Sequence, residues 1–261
     1  MMQALWVSKT GLSAQNTRLT TISNNLANAA TIGFKRDDAQ FEDLLYQIRR
    51  QPGAAATQDA QVPSGLQLGT GVKVVGTTKQ FTQGSLEVTE KPLDLAINGH
   101  GFFQILQSDG STAYTRNGQF QLNSDGQIVT PDGQQLQPSI TIPQNATSIT
   151  VGKDGTIDVQ IAGSPTPQQI GQIQLADFIN PTGLQAIGAN LYLETAASGS
   201  PQQGQPNNSG FGSVEQNTLE NSNVDVVEEM VNMITTQRTY EMNSKVIKTA
   251  DDMLQFITQT L

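Results

Sequence analysis

The stretch SNVDVVEEMVNMITTQRTYEMNSKVIKTADDMLQFITQTL, residues 222 to 261, holds neither glycine nor proline and reads as one long helix. Val226, Met233, Tyr240, Ile247, Leu254 and Leu261 recur at every seventh position, and Met230, Ile234, Ala250, Met253 and Ile257 widen the stripe at helical spacing. This is the pattern of a coiled-coil seam. Ser222 followed by Asp225 predicts the N-terminal cap, and Glu241 with Lys245 adds an i,i+4 pair. At 1.5 Å per residue the helix spans roughly 60 Å, and its stripe needs other elements to cover it.

The opposite end carries the same period. Leu5, Leu12, Leu19 and Leu26 fall seven apart, supported by Ile22 and Ala29, and Gly33 is a natural stop. Two seams at the two ends predict that the ends meet as a helical pair, with the intervening chain projecting as an insertion. The competing reading is a two-helix platform packed on the domain's own core.

Between these ends the period changes. Pro52-Gly53 and Pro63-Ser64-Gly65 exclude a helix, so residues 46–76 are expected as an extended or hairpin-like excursion. Leu66, Leu68, Val72, Val74 and Val75 give it more apolar side chains than a flexible linker carries. From Gly84 to about Leu193, short alternating runs are separated by Asn98-Gly99, Asp109-Gly110, Asn117-Gly118, Asp125-Gly126, Asp132-Gly133 and Asp154-Gly155. Such pairs suit tight hairpin turns, because both residue types tolerate positive φ. Residues 197–212 read as a linker. The expected class is α+β: residues 1–33 and 222–261 as a helical, coiled-coil-like domain, 34–96 and 194–221 as extended connections, and 97–193 as an antiparallel β domain.

Composition narrows the function. The chain has 261 residues and a net charge of −9, with 14 Lys and Arg scattered among 23 Asp and Glu, which argues against a nucleic-acid partner. With no cysteine there is no disulfide, thiolate metal site or Cys nucleophile. No membrane span or cleaved signal peptide is expected. The single His100 sits in a turn without an obvious Ser or Asp partner, and turn formation already accounts for Asp109, Asp125, Asp132 and Asp154. Asn123-Ser124-Asp125-Gly126 lacks the remaining ligands of a calcium loop. No catalytic residue, metal, cofactor or small-molecule substrate is predicted.

Two motifs carry a resemblance. Ser23-Asn24-Asn25-Leu26-Ala27-Asn28 runs into Thr31-Ile32-Gly33-Phe34-Lys35-Arg36, and Ser222-Asn223-Val224-Asp225 precedes Gln237-Arg238-Thr239-Tyr240-Glu241 and Asn243-Ser244-Lys245. In type and order they resemble the terminal signatures of the bacterial flagellar rod and hook proteins. The segments Phe41-Glu42-Asp43-Leu44-Leu45-Tyr46, Arg50-Gln51-Pro52-Gly53 and Pro63 to Val72 are similar to those of members that build the distal rod.

The resemblance implies a structural subunit that polymerises helically with itself into a shaft passing motor torque to the hook. It implies contacts with other rod proteins, the hook and the surrounding rings. It also implies passage through the type III export apparatus and a place in the periplasmic part of the basal body. Expected subunit-interface residues are Leu5, Leu12, Leu19, Leu26, Val226, Met233, Tyr240, Ile247, Leu254 and Leu261. Asn24, Asn25 and Asn28 either cap the helix end in solvent or hydrogen-bond between subunits. Tyr46, Pro52, Pro63, Leu66, Leu68 and Val72 are expected to stiffen the shaft. In the same resemblance Gly99, Gly101, Phe102 and Phe103 open the β domain, with the two rings on opposite sides of a strand. The alternatives are another rod or hook protein or, in a different class, a secreted β-rich glycan-binding module, for which one Trp and one His leave little material.

Overall fold

The computed structural model describes residues 2–52, 55–57, 60–61, 63–163, 166–208 and 210–259; Gly53 and the last expected seam residue, Leu261, lie outside them. Two helices and a largely antiparallel β body make the fold α+β. The chain divides into two units: Met1–Ala27, Asp37–Lys79 and Asp225–Leu261 form one, and Asn28–Arg36 with Gln80–Val224 the other.

In the first unit, α1 (Met2–Ala27) stops before the expected Gly33. A polar turn ends it, in which the Thr31 N–H donates to the Asn28 carbonyl at 3.1 Å and the Thr31 hydroxyl to the Asn28 side-chain oxygen at 3.2 Å. α2 (Val226–Gln259) is uninterrupted. Its cap is Asp225 rather than Ser222, since Asp225 Oδ1 accepts the N–H groups of Val227 at 2.8 Å and Glu228 at 3.2 Å. These are the second and third helical residues, which a cap side chain reaches; Ser222 lies too far upstream and accepts the Val224 N–H instead. α1 packs along α2. Asn25 lies against Glu229 and Gly11 against Asn243, so the two helices run antiparallel.

The excursion of this unit is a nested antiparallel hairpin. Asp37–Asp43 pairs with Val72–Lys79, Gln47–Arg50 with Leu66–Leu68, and Ala55–Thr57 with Ala60–Gln61. Pro52 and Pro63 stand outside all three ladders, where a missing N–H breaks no pairing.

In the second unit, Phe102–Leu106 is central to the largest sheet and pairs with Thr112–Thr115, Gln135–Gln137 and Leu175–Asp177. Phe103 faces the main core, meeting Phe120 edge-on at 5.2 Å, while Phe102 faces a second cluster with Phe81, Phe178 and Tyr192. The rings thus take opposite sides of the strand, as the period of two requires. The stretch read as a linker contributes a strand, Gln202–Gly204 beside Leu175–Asp177. Its polar composition is no obstacle, because Gln203 donates its side-chain N–H to the Gln104 amide oxygen at 3.0 Å.

Four turns of this unit share one construction. In Gln107–Ser111, Asn123–Gln127, Thr130–Gln134 and Gly152–Thr156 the glycine N–H donates back three residues, and the first N–H donates to the carbonyl four ahead. Only the glycine adopts positive φ, from 76° to 85° in the four. The Asp-Gly pairs therefore form three-residue loops closed by a glycine bulge, a geometry distinct from the two-residue turn in which both residues turn left-handed. Asn117-Gly118 differs again: Gly118 has no positive φ, and a Cβ there would overlap the Leu95 carbonyl oxygen.

Candidate assembly surface

On α2 the positions turned towards α1 are Glu229, Thr236, Asn243 and Ala250, seven apart, of which Asn243 is half-buried and the others buried. The apolar heptad read from the sequence is a different set. Val226 and Tyr240 are 43% and 41% exposed, and Met233, Ile247 and Leu254 are half-buried at the margin. The intrachain seam is therefore offset from the predicted one. Glycine at position 11 admits close approach by a short polar side chain, and bulky aliphatic groups fit such a seam poorly. Those groups face outward: Val227, Met230, Val231, Ile234, Met242, Val246, Met253 and Phe256 are all exposed. On α1, Leu5, Leu12, Leu19 and Leu26 are half-buried, and Ala14 and Ile22 buried.

The three asparagines separate. Asn24 is exposed, and Asn28 accepts the turn hydrogen bonds from Thr31. Asn25 is 1% exposed and commits its amide within the chain, donating to the Asp37 carbonyl at 2.8 Å and accepting the Asp37 N–H at 2.9 Å. Its side-chain nitrogen also lies 3.4 Å from Glu229 Oε1. The expectation that Asn25 bonds a neighbouring subunit gives way to this node, because both faces of its amide are already occupied.

The hairpin is bare where stiffening contacts are expected. Leu45 is 91% exposed; Tyr46, Ile48, Leu66, Leu68, Pro52 and Pro63 are also exposed, and Val72 is half-buried. An exposed apolar group of this size is a candidate contact surface.

One polar cluster escapes the sequence reading. In the second unit Lys35 Nζ donates to Glu220 Oε1 at 2.6 Å and to the Thr82 carbonyl at 2.7 Å, and Glu220 also accepts the Gly84 N–H at 3.0 Å. Arg116 reaches Glu220 Oε2 at 3.4 Å and the Gly99 carbonyl at 2.7 Å, its guanidinium 5.3 Å from the Phe102 ring centre. All three charged side chains are buried. Burial lowers the Lys35 pKa below its ordinary 10.5 even though Glu220 opposes the shift. Beside them, Asn223 accepts the Arg36 N–H at 2.8 Å and donates to the Gln80 carbonyl at 2.8 Å. The motifs Gly33-Phe34-Lys35-Arg36 and Ser222-Asn223 thus meet in space. The signal was a charged residue following Phe34, next to a buried apolar one, but its acidic partner at Glu220 has no local pattern.

His100 is exposed at its turn. The Ser111 side-chain hydroxyl, donating at 2.6 Å, holds the Asp109 carboxyl below its ordinary pKa, and Thr156 does the same to Asp154 at 2.7 Å. Among the described residues no group of three or more His, Cys, Asp or Glu side chains is placed to hold a metal ion.

Comparison with known proteins matches three stretches of the chain. Residues 5–35 match the family described as flagella basal body rod protein, 96–159 the flagellar hook protein FlgE/F/G D1 domain, and 215–260 the flagellar basal body rod FlgEFG protein C-terminal family. These three matches define a structural protein of the flagellar rod and hook class. The chain is 52% identical over 259 residues to the flagellar basal-body rod protein FlgG of Buchnera aphidicola subsp. Schizaphis graminum, covering 99% of this chain and 100% of that one. It is 52% identical to the FlgG of Caulobacter vibrioides over 99% of each chain. Within Bacillus subtilis it is 38% identical to FlgG, over 98% of this chain and 97% of that one, against 29% to the hook-basal body complex protein FlhP, over 98% of each. The chain belongs to the FlgG family of flagellar basal-body rod proteins: it is a structural rod subunit of the flagellar basal body, assembles with other rod and hook components, and is not an enzyme.

Proposed function

We propose that the chain polymerises helically with copies of itself into the distal part of the rod, and that the outward stripe of α2 is the principal adhesive surface. The observation that carries this is the run of exposed apolar residues on α2, from Val227 and Met230 through Ile234 and Val246 to Phe256. A solvated stripe of this length is unfavourable, and burial against helices of neighbouring subunits at roughly 25 cal/mol per Å² removes the penalty at every interface. In the polymer these stripes form coiled-coil seams lining an inner tube, with Leu5, Leu12, Leu19 and Leu26 at their margins. The bare hairpin residues, Tyr46, Leu66 and Leu68 among them, bury against a neighbour and resist bending.

The resemblance supports the finer placement. The shaft runs through the periplasmic space, the chain arrives unfolded through the type III export apparatus, and ring proteins surround the assembled rod. The test is electron microscopy and sedimentation of the purified chain over a concentration series. Straight tubes appearing above a critical concentration are expected, and a monomer at all concentrations would overturn the reading.

A further inference from the structure

The α1–α2 seam is built from residues that supply little adhesion. Glu229, Thr236, Asn243 and Ala250 face α1, a carboxylate, a hydroxyl, an amide and a single methyl, while Val227, Met230, Val231, Ile234 and Val246 are exposed and Met233, Ile247 and Leu254 lie half-buried at the margin. Yet two of its contacts are geometrically specific. At one, Asn25 joins α1 to the Asp37 backbone and lies 3.4 Å from Glu229. At the other, Gly11 leaves a hole: a Cβ built there would sit 3.2 Å from Asn243 Nδ2. Glycine weakens a helix interior, and the amide of Asn243 occupying its missing side chain gives it a reason to stand there.

These contacts are two heptads apart on each helix, in opposite directions along the chain. A slip of one heptad, about 10 Å along the axis, would bring Asn243 level with Ala4 in one direction or with Arg18 in the other. Both carry a side chain where Gly11 has none, and either slip separates Asn25 from Glu229. A buried polar contact that is satisfied in only one alignment specifies register at the expense of stability.

We propose that Gly11–Asn243 and Asn25–Glu229 form a two-point register lock, which holds the outward stripe of α2 at one height against α1. Every subunit then offers the same composite surface to a second copy of the chain. Naming that occupant rests on the assembly reading above; the lock itself is a property of one chain.

The chain contains no cysteine, so nitroxide labels attach only at introduced sites, and Asn16→Cys with Lys248→Cys places them at exposed positions on the two helices. Double electron–electron resonance on the free subunit, and on labelled subunits diluted into unlabelled assemblies, reads the register. The otherwise native chain should give one narrow distance. Combining Gly11→Ala, Asn243→Ala, Asn25→Leu and Glu229→Leu should add a second population, offset by about 10 Å along the axis. The reciprocal exchange Gly11→Asn with Asn243→Gly should keep a single distance. A single distance in the lock-free chain with native helicity, or two distances in the native one, would overturn the proposal. If the lock-free chain loses helicity in circular dichroism, Asn243→Ala alone decides: a broadened distribution supports the lock and an unchanged width overturns it. Failure of the native chain to polymerise, with one narrow distance in the free subunit, would sink the assembly reading and leave the lock standing.

Discussion

Lys35 and Glu220 meet at 2.6 Å with both side chains sealed from solvent, and Arg116 shares the same carboxylate at 3.4 Å. One anion thus serves two buried cations, so its removal leaves both unbalanced. Glu220→Gln is expected to destabilise the second unit by about 3–5 kcal/mol. Urea unfolding followed by tyrosine fluorescence measures this, and an unchanged midpoint would show that water already reaches the cluster.

The same pair sets a pH dependence. Burial holds the Lys35 pKa below 10.5, so between its folded value and 10.5 the unfolded chain binds a proton that the folded chain has released. Unfolding free energy therefore rises with pH in that window, and the contribution is flat outside it. Lys35→Met should lack this rise when urea midpoints are compared at increasing pH up to 10.5. Parallel pH profiles for the two proteins would contradict the assignment.

Ile234 and Val246 are 49% and 48% exposed in the subunit, so a carboxylate at either is tolerated there. Ile234→Asp or Val246→Asp should change the stability of the free subunit by no more than about 0.5 kcal/mol. Polymerisation should be lost, because each copy would bury an unpaired charge at a cost of several kcal/mol. Cells carrying either variant should not swim; normal rods in them would show that this stripe stays wet.

Deleting residues 48–64 shortens the hairpin but leaves the Asp37–Asp43 and Val72–Lys79 ladder intact. The shortened chain should still polymerise, into curved or more flexible tubes, since contacts that oppose sliding are removed and the helical stripes remain. Electron microscopy of basal bodies decides: straight rods would remove the hairpin from the stiffness argument, and absent rods would assign it to assembly.

Two glycines separate close approach from backbone conformation. Gly118→Ala drives a methyl group into the Leu95 carbonyl and should cost about 3 kcal/mol or more. Gly110→Ala meets nothing within 4 Å but must hold φ near 85°, at about 1–2 kcal/mol. Denaturant midpoints of the two variants should rank in that order.

Much of the architecture was legible because it rests on local chemistry. The unbroken run of α2, the turns at the Asp-Gly pairs and the split of Phe102 from Phe103 all follow from neighbours in sequence. What escaped depends on partners. The heptad Val226, Met233, Tyr240 is real as a pattern, but periodicity cannot say which face a helix turns towards its own chain, and here Gly11 draws the polar face inward. Ser222 is the expected cap, with Asp225 as its partner three residues on, but the helix starts at Val226, which puts Asp225 itself at the cap. The Lys35–Glu220–Arg116 cluster joins residues far apart in the chain, where no spacing rule operates.

The first unit takes its material from three separate segments, and α2 is the last of them. In a chain synthesised from its N-terminus, the strands of Gln80–Val224 are therefore complete while α1 still lacks its companion. On the assembly proposed above, competence to join a neighbour is a late event in the life of each molecule, timed by the arrival of α2, and an incomplete chain has no complete surface with which to foul a growing end.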